Sequence, residues 1–266
     1  MMKRLVAIIQ FMTRIPIKVD TGVDDNFNKG LVYFPVVGLI LGVIYYFIGL
    51  VGREIFPGNL TSILIVISQV VLTGGLHLDG VGDSFDGLYS YREKDKILEI
   101  MKDSRLGTNG MIAITIVLIM KVTLTSNIIE SNNLWVVVIM PVVARTMQVI
   151  ACYNTRTPRQ KGMGNLFIGK LTSIQLGTAI VNMIIIVLLI VATKSFFSAN
   201  GIQAYELSWS VIIQISSVVI LILSVKMFIS SVYRKIDGIT GDILGCISEL
   251  AEIIYMLIIT MLIDKV

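Results

Sequence analysis

Hydrophobic and polar residues follow one another along this chain in long blocks. Seven long apolar segments are separated by short polar connections. A helix of about 20 apolar residues spans the hydrocarbon core of a bilayer, whereas the strands of a membrane barrel alternate in character over about 10 residues. The pattern therefore predicts an all-α fold, a polytopic transmembrane helical bundle with about seven membrane-spanning helices. The seven segments are 31–51, 60–78, 106–128, 134–153, 171–193, 207–232 and 243–263.

The beginning of the chain has a different pattern. Residues 1–17 are too short to cross a bilayer, and Gln10 and Arg14 interrupt their apolar character. Two basic residues precede the apolar run 5–12, which is typical of an amphipathic helix lying in the plane of the membrane interface. We therefore expect a short N-terminal interfacial helix ahead of the first membrane-spanning helix.

Composition agrees with a membrane protein and excludes other classes. Of the 266 residues, 55% are hydrophobic and 15% are charged, whereas a typical soluble domain has roughly 25% charged residues. So few charges cannot cover the surface of a soluble fold of this size. The composition thus excludes an ordinary cytosolic enzyme, a disordered chain and a secreted disulfide scaffold. We expect residues 1–266 to form a single integral membrane domain.

The distribution of basic residues predicts the orientation. With the N-terminus in the cytoplasm and seven spans, 16 of the 22 lysines and arginines fall in cytoplasmic segments and three fall outside. Short cytoplasmic loops are enriched in Lys and Arg. The sequence therefore predicts a multi-pass protein of the cytoplasmic (inner) membrane with a cytoplasmic N-terminus. The net charge of +4 then reflects orientation, and we expect no nucleic-acid partner. The cytoplasmic connections 79–105, 154–170 and 233–242 are the predicted active loops.

Three aspartates lie close together at the end of the second apolar segment. Asp79, Asp83 and Asp86 are spaced i, i+4 and i+7, which places them on one stripe of a helix. Carboxylates so arranged repel one another unless a cation joins them, and their hard oxygens suit Mg²⁺, or Mn²⁺ in its place. The alternative is a solvated helix end whose acids share a face by chance. His77, the single histidine, is a candidate catalytic residue, although a hydrogen-bonded interfacial histidine is the commoner case.

A second polar motif precedes the third apolar segment. Asp103 lies between Lys102 and Arg105. Both cations can bind phosphate oxygens, the arginine in a bidentate manner, and Asp103 is a candidate metal ligand or general base. Alternatively, the motif anchors a span on its positive side and caps the next helix.

A third group of acids opens the last apolar segment. Asp242 can bind substrate or can simply cap the helix. Glu249 lies seven residues further, on nearly the same face, and Glu252 follows. A carboxylate in apolar surroundings needs a cationic partner or a metal, and Arg145 and Lys226 are possible partners. Asp242, Glu249 and Arg145 are therefore candidates for substrate binding, with purely structural pairing as the alternative for the glutamates.

Several strings of this sequence resemble those of the cobalamin synthase family, also called adenosylcobinamide-GDP ribazoletransferase. The most specific is the string 72–87, LTGGLHLDGVGDSFDG. It departs from the family pattern at Ser84-Phe85, where we expect smaller residues. The other matching strings, in chain order, are FMTRIP at 11–16, YFPVVG at 33–38, IMKDSRLGT at 100–108, GMG at 162–164 and GITGDILG at 238–245.

This resemblance implies an enzyme of the last steps of cobalamin biosynthesis. Such an enzyme joins adenosylcobinamide-GDP to α-ribazole, or to α-ribazole 5′-phosphate, and releases GMP and adenosylcobalamin or its phosphate. The family is implied to be Mg²⁺-dependent and to lie in the inner membrane. A homo-oligomer and a complex with other cobalamin-assembly enzymes are the two candidate assemblies.

The predicted site fits phosphoryl transfer, which depends mainly on positioning and charge stabilisation. A metal held by the aspartate stripe would bridge the substrate phosphates. Asp103 would be a further ligand or the base for the attacking hydroxyl, and Asp83 and His77 are the other catalytic candidates. Phosphate oxygens would be bound by cytoplasmic-side cations. These cations are Arg14, Lys102 and Arg105.

Two other functions share parts of this pattern. A CDP-alcohol phosphotransferase also carries aspartates at i, i+4 spacing, but its motif has an Ala-Arg pair soon after the first Asp-Gly, and residues 81–84 are Val-Gly-Asp-Ser. A cation or metabolite transporter would use acids along a membrane pathway, here the stripe together with Glu249 and Glu252. Transporters usually place such acids at mid-membrane in repeated halves, and this sequence shows no repeat.

Overall fold

In the computed structural model of this protein, residues 2–21, 27–196 and 204–263 are described, and they form a bundle of helices without strands. Two 3-10 helices accompany the α-helices, at Phe27–Tyr33 and Met163–Leu166. The predicted all-α class is therefore confirmed for these residues. The α-helices are α1 (Met2–Met12), α2 (Phe34–Ile55), α3 (Gly58–Thr73), α4 (Leu76–Leu88), α5 (Lys94–Ile100), α6 (Thr108–Glu130), α7 (Val136–Cys152), α8 (Ser173–Phe196), α9 (Ala204–Ile236) and α10 (Gly241–Ile263).

Each of the seven predicted apolar segments is helical, but they differ in length. Five helical segments in the described part of the chain are long and apolar enough to cross a membrane. The other two are α7, with 17 residues, and α3, with 16 residues, which is followed by a bend of 87° into α4. The five long segments are Phe27–Ile55, Thr108–Glu130, Ser173–Phe196, Leu207–Ile236 and Gly241–Leu262.

The bend after α3 places the aspartate stripe on a helix of its own. Gly74 and Gly75 have φ angles of 64° and 72°, in the left-handed region that glycine adopts without steric cost. The chain therefore turns sharply after Thr73 and starts α4 in a new direction. The prediction of one helix over 60–78 is therefore wrong at its end. The helix stops at Thr73, because the glycine pair ends it before the first aspartate.

Helix α7 forms the centre of the bundle. All of its residues except Ile150 are buried, and it packs against α2 and α10. Gly38 and Gly42 of α2 face the backbone of Pro141 and Val138 of α7. Small residues four apart allow two helices to approach closely in a membrane. The close approach of α2 and α7 thus depends on two glycines that carry no side chain into the interface.

We expect Gly42→Ala to destabilise the protein by about 1–3 kcal/mol, because inserting a methyl group into a close-packed contact forces a backbone shift. A Cβ at this position would collide with the backbone of Val138. Thermal unfolding in detergent measures the effect. Gly177→Ala in α8 is the matched control, since nothing lies within 4 Å of its Cβ position. An equal melting temperature for both variants would contradict the close α2–α7 contact.

Helix α1 is amphipathic, as the sequence predicts, and its apolar face packs on the protein. Ile8, Ile9 and Met12 are buried, whereas Lys3 and Arg4 are exposed. The helix contacts the 3-10 helix Phe27–Tyr33 and the beginning of α2. It therefore covers one end of the bundle and contributes to the walls of the cavity described below.

The outer helices expose apolar side chains to the surroundings. Ile119 of α6, Leu189 of α8 and Met227 of α9 are each at least 60% exposed. Exposed apolar side chains along several outer helices are typical of helix faces in contact with lipid. Together with the five long apolar helices, they identify a multi-pass membrane protein.

Candidate active site

The three predicted active loops meet at one end of the bundle. Lys235 donates a hydrogen bond from its Nζ to the carbonyl oxygen of Leu88 at 2.5 Å. Arg159 donates from its Nη2 to the carbonyl oxygen of Met101 at 3.2 Å. These contacts join segments that lie far apart in sequence. Side chains from all three loops can therefore act on one substrate.

Helix α4 carries the aspartate stripe across this end. Asp79 is exposed, and Asp83 and Asp86 are half-buried. The helix packs against α10 at a contact between glycines, where a Cβ on Gly80 would lie 2.6 Å from the carbonyl oxygen of Asp242. This close approach of two backbones brings the first turn of α10 beside the stripe.

The stripe and α10 form one acidic cluster, and Arg159 lies against it. The carboxylate of Asp83 is repelled by Asp79, Asp242 and Asp86 and attracted by Arg159. Arg159 pairs with Asp242, with 2.8 Å between Nη2 and Oδ2. The cluster has more negative than positive charge, and a bound cation would relieve the repulsion.

Sequence reasoning did not identify Arg159. It lies in the predicted active loop 154–170, three residues before the GMG string at 162–164. That position was the available signal, because a basic residue beside a glycine-rich string on the cytoplasmic side is a candidate phosphate ligand. Its pairing with Asp242 depends on a contact across the fold, which local spacing does not reveal.

Asp86 has a different environment from the other two aspartates. Its Oδ2 accepts a hydrogen bond from the backbone N–H of Gly107 at 2.7 Å, and its Oδ1 accepts one from Gly110 at 2.8 Å. These donors lie at the N-terminus of α6, where backbone N–H groups lack helical partners and favour a negative charge. Asp86 therefore joins α4 to α6, and both of its oxygens are engaged by the protein itself.

Asp103 lies in the loop between α5 and α6 and faces its neighbour Arg105. Nη2 and Nε of Arg105 donate to the carboxylate at 2.5 and 3.0 Å. These hydrogen bonds lower the pKa of Asp103 to about 2, so the group stays ionised at neutral pH and is a weak base. Among the described residues, no hydrogen bond or ion pair joins it to the stripe. The neighbouring Lys102 is exposed.

Arg145 and Glu249 lie in the interior. Lys121 binds Glu249 at 2.5 Å and Glu252 at 2.7 Å. Arg145 binds Glu252 at 3.1 Å and donates to the hydroxyl of Ser248. The four charged side chains are almost completely buried. This arrangement does not support substrate binding by Arg145 and Glu249, because their charges are already paired. It agrees with the alternative that the glutamates are paired for structural reasons. Arg145 is one of the predicted partners, but the lysine is Lys121 and not Lys226.

A cavity of about 220 Å³ opens beside the acidic cluster. Its walls are mainly apolar, and Asp79 and Asp242 lie among its lining residues. His77 also lines it and is buried, with an Nδ1 that has no hydrogen-bond partner. The lining residues are Phe11, Met12, Phe34, Leu76, His77, Asp79, Gln148, Met163, Gly164, Phe167, Gly241, Asp242, Leu244 and Gly245.

Arg14 lies at the edge of this region. Its backbone N–H donates to the carbonyl oxygen of Leu72 at 2.7 Å, and its side chain covers Gly74 at the bend before α4. It is exposed, and it borders the same helix that carries the stripe. The structure thus places Arg14 near the predicted site, with its guanidinium group accessible.

The acidic cluster suits a cation that is only partly bound by protein. Within the described ranges, no three His, Cys, Asp or Glu side chains already surround a common point. Mg²⁺ usually takes one or two carboxylates and completes its shell with water and substrate phosphates. The exposed Asp79 and the half-buried Asp83 and Asp242 offer hard oxygen ligands of this kind. The donor set therefore fits Mg²⁺ once a phosphate is present.

Comparison with known proteins identifies the family. The model of the CobS family, cobalamin-5-phosphate synthase, matches residues 4–260. Proteins named adenosylcobinamide-GDP ribazoletransferase are 49% identical in Clostridioides difficile (98% of each chain), 39% in Alkaliphilus metalliredigens (98% of this chain, 96% of the relative) and 34% in Clostridium novyi (96% of each). No solved structure is significantly similar. The chain belongs to the CobS family, as its sequence motifs predict.

Proposed function

We propose that this protein transfers the adenosylcobinamide-phosphate group from adenosylcobinamide-GDP to a ribose hydroxyl of α-ribazole or its 5′-phosphate, with release of GMP. The acidic cluster beside a cavity supports this reaction most directly. It unites carboxylates for a metal, an arginine for phosphate oxygens and an apolar space for an organic group. The relatives that carry the name of this activity are similar over nearly the whole chain.

Asp79 and Asp83, with Asp242 beside them, would hold Mg²⁺ or Mn²⁺. When bound, the ion would neutralise the negative charge that develops on the phosphate oxygens. Arg159 is placed to exchange its contact with Asp242 for a substrate phosphate oxygen. Arg14 borders the same site, so it is a further phosphate ligand in this proposal.

Asp83 is the best-placed acceptor for the proton of the attacking hydroxyl. It is half-buried beside the other carboxylates of the cluster, and with two oxygens it can contact the cation through one and accept the proton through the other. Asp103 suits this role less, because its pair with Arg105 holds its pKa at about 2. In our proposal, Asp103, Lys102 and Arg105 instead line the approach of the diphosphate. Since a substrate hydroxyl attacks phosphorus directly, no cysteine or serine nucleophile is required.

The proposed orientation places this end of the bundle in the cytoplasm, with the N-terminus on the same side, in the inner membrane. The excess of Lys and Arg in the loops at this end supports the assignment. Adenosylcobinamide-GDP is charged at its diphosphate, and α-ribazole and its 5′-phosphate are polar at the ribose, so a site facing the cytoplasm receives these substrates without their crossing the membrane.

The proposal is tested with the purified full-length protein in lipid nanodiscs. Adenosylcobinamide-GDP and α-ribazole with Mg²⁺ should give equal amounts of GMP and adenosylcobalamin, both quantified by liquid chromatography. EDTA should abolish the products, and added Mg²⁺ or Mn²⁺ should restore them. Absence of metal-dependent product would reject the proposed function.

A transport function has weaker support. It would require free carboxylates within the membrane, whereas Glu249 and Glu252 are neutralised by Lys121 and Arg145. A transporter would also need two compartments. Product formation in detergent, where no gradient exists, separates the enzyme from the transporter.

A further inference from the structure

The cavity beside the acidic cluster has an apolar, aromatic wall. Phe11 of α1 and Phe167 of the loop before α8 line it, with their ring centroids 6.0 Å apart and nearly edge to face. Phe34 and Leu76 complete this side. Aromatic walls favour flat aromatic ligands, which gain both burial and ring contacts.

Two buried polar atoms on the cavity residues have no partner. His77 and Gln148 are 2% and 3% exposed, and both line the cavity. His77 Nδ1 and Gln148 Oε1 make no hydrogen bond, although Gln148 Nε2 donates to the carbonyl oxygen of Leu244 at 3.0 Å. Buried polar atoms in native proteins are nearly always paired. Because both residues line one cavity, these two atoms are available as partners for a ligand bound there.

The size of the cavity restricts this ligand. A volume of about 220 Å³ is below the range of about 300–1,000 Å³ that drug-sized ligands occupy. It can enclose one bicyclic aromatic base, but neither a corrin ring nor a complete nucleotide. Asp79 and Asp242 lie among the lining residues, so a sugar attached to the base would extend toward the proposed metal site.

We propose that this cavity binds the base of α-ribazole. The inference rests on the proposed function and identifies the acceptor half of its site. The base of α-ribazole is a benzimidazole, an apolar bicycle with one free ring nitrogen that accepts a hydrogen bond. His77 in its Nδ1–H form donates to that nitrogen, and a ribose hydroxyl donates to Gln148 Oε1. The ribose is then held beside Asp79, where its hydroxyl attacks.

Guanine of the donor substrate fits the cavity less well. It is also bicyclic, but it carries several polar atoms along its edge. Asp79 and Asp242 also line the cavity, but in our proposal they are taken up by the metal. The remaining polar partners, His77 and Gln148 among apolar walls, would leave most of these atoms unpaired, and a site rejects a ligand whose polar groups lose their partners. The benzimidazole has one such atom, which His77 can satisfy. The acceptor nucleoside is therefore the better occupant.

Filling the cavity tests the proposal. Leu76→Trp adds a large side chain to the wall, and we expect it to raise both the Kd of α-ribazole and its KM by tenfold or more, on the order expected for a misfit in an apolar pocket. The KM of adenosylcobinamide-GDP should stay the same. Binding is measured by equilibrium dialysis of α-ribazole against the nanodisc protein without metal. Leu60→Trp, at an exposed position on α3, is the matched control.

A second variant removes polar contact without filling space. Gln148→Met should raise the KM of α-ribazole by about tenfold. Its melting temperature is measured alongside, and kinetics are run well below it, because the variant also loses the hydrogen bond from Gln148 Nε2 to Leu244. An unchanged KM for α-ribazole in both variants would overturn the proposal, as would displacement of bound α-ribazole by GMP, which would assign the cavity to guanine. Because the dialysis needs no turnover, it decides the question even if the parent protein forms no product.

Discussion

Asp79→Asn and Asp83→Asn are each expected to lower kcat/KM by about 100- to 1,000-fold, the cost of removing one electrostatic group aimed at developing charge. Both side chains lie in the acidic cluster of α4 and α10, and neither is engaged by a backbone donor or an ion pair in the described part of the chain. Asparagine preserves their size but removes the charge that binds a cation. The rate of GMP release measures the loss, and higher Mg²⁺ concentrations should recover part of it.

Two further substitutions separate chemistry from folding. Asp95→Asn removes an exposed carboxylate from α5 and should leave the rate unchanged. Asp86→Asn should act through stability, because Asp86 binds the backbone N–H groups of Gly107 and Gly110, and an amide can accept with only one of its ends. A stable, folded Asp79→Asn variant with near-normal turnover would show that the acidic cluster is not the metal site.

The membrane helices of this fold are predictable from sequence because the bilayer fixes their length and apolar character. Every predicted segment is helical. The sharp bend between α3 and α4 is a feature that hydropathy misses, since the apolar run continues through Gly74 and Gly75. The glycine pair is a turn signal, and it marks the end of the helix at Thr73, where hydropathy alone does not.

The candidate site is only partly predictable. Helical periodicity correctly places the three aspartates on one helix, but it cannot show what each one faces. The end of α6 engages Asp86, whereas Asp242 joins Asp79 and Asp83. These distinctions arise from contacts between residues far apart in sequence, such as the close passage of Gly80 over α10. Local spacing carries no information about such contacts.

The partners of the buried charges are likewise only partly predictable from the sequence. A glutamate inside an apolar helix requires a partner, and this rule correctly predicts that Glu249 and Glu252 are paired. It does not choose among the three basic residues that lie within apolar segments. The structure pairs the glutamates with Lys121 and Arg145 and leaves Lys226 exposed on α9. The choice depends on which helix faces pack together.

Lys121→Met is expected to lower the free energy of unfolding by about 3–5 kcal/mol, because breaking a buried ion pair leaves an uncompensated charge. Lys121 is 3% exposed and binds both Glu249 and Glu252. Without it, two glutamates share the single charge of Arg145 in an apolar interior. Thermal or denaturant unfolding in a fixed detergent measures the loss.

The double variant Lys121→Met/Glu249→Gln shows whether charge balance causes this loss. It removes one charge of each sign, so it should be more stable than Lys121→Met alone, although it lacks one more charged group. Lys226→Met is the matched control and should have little effect, since that lysine is exposed on α9. If instead Lys121→Met melts like the parent protein but forms no product, the four buried charges serve the reaction.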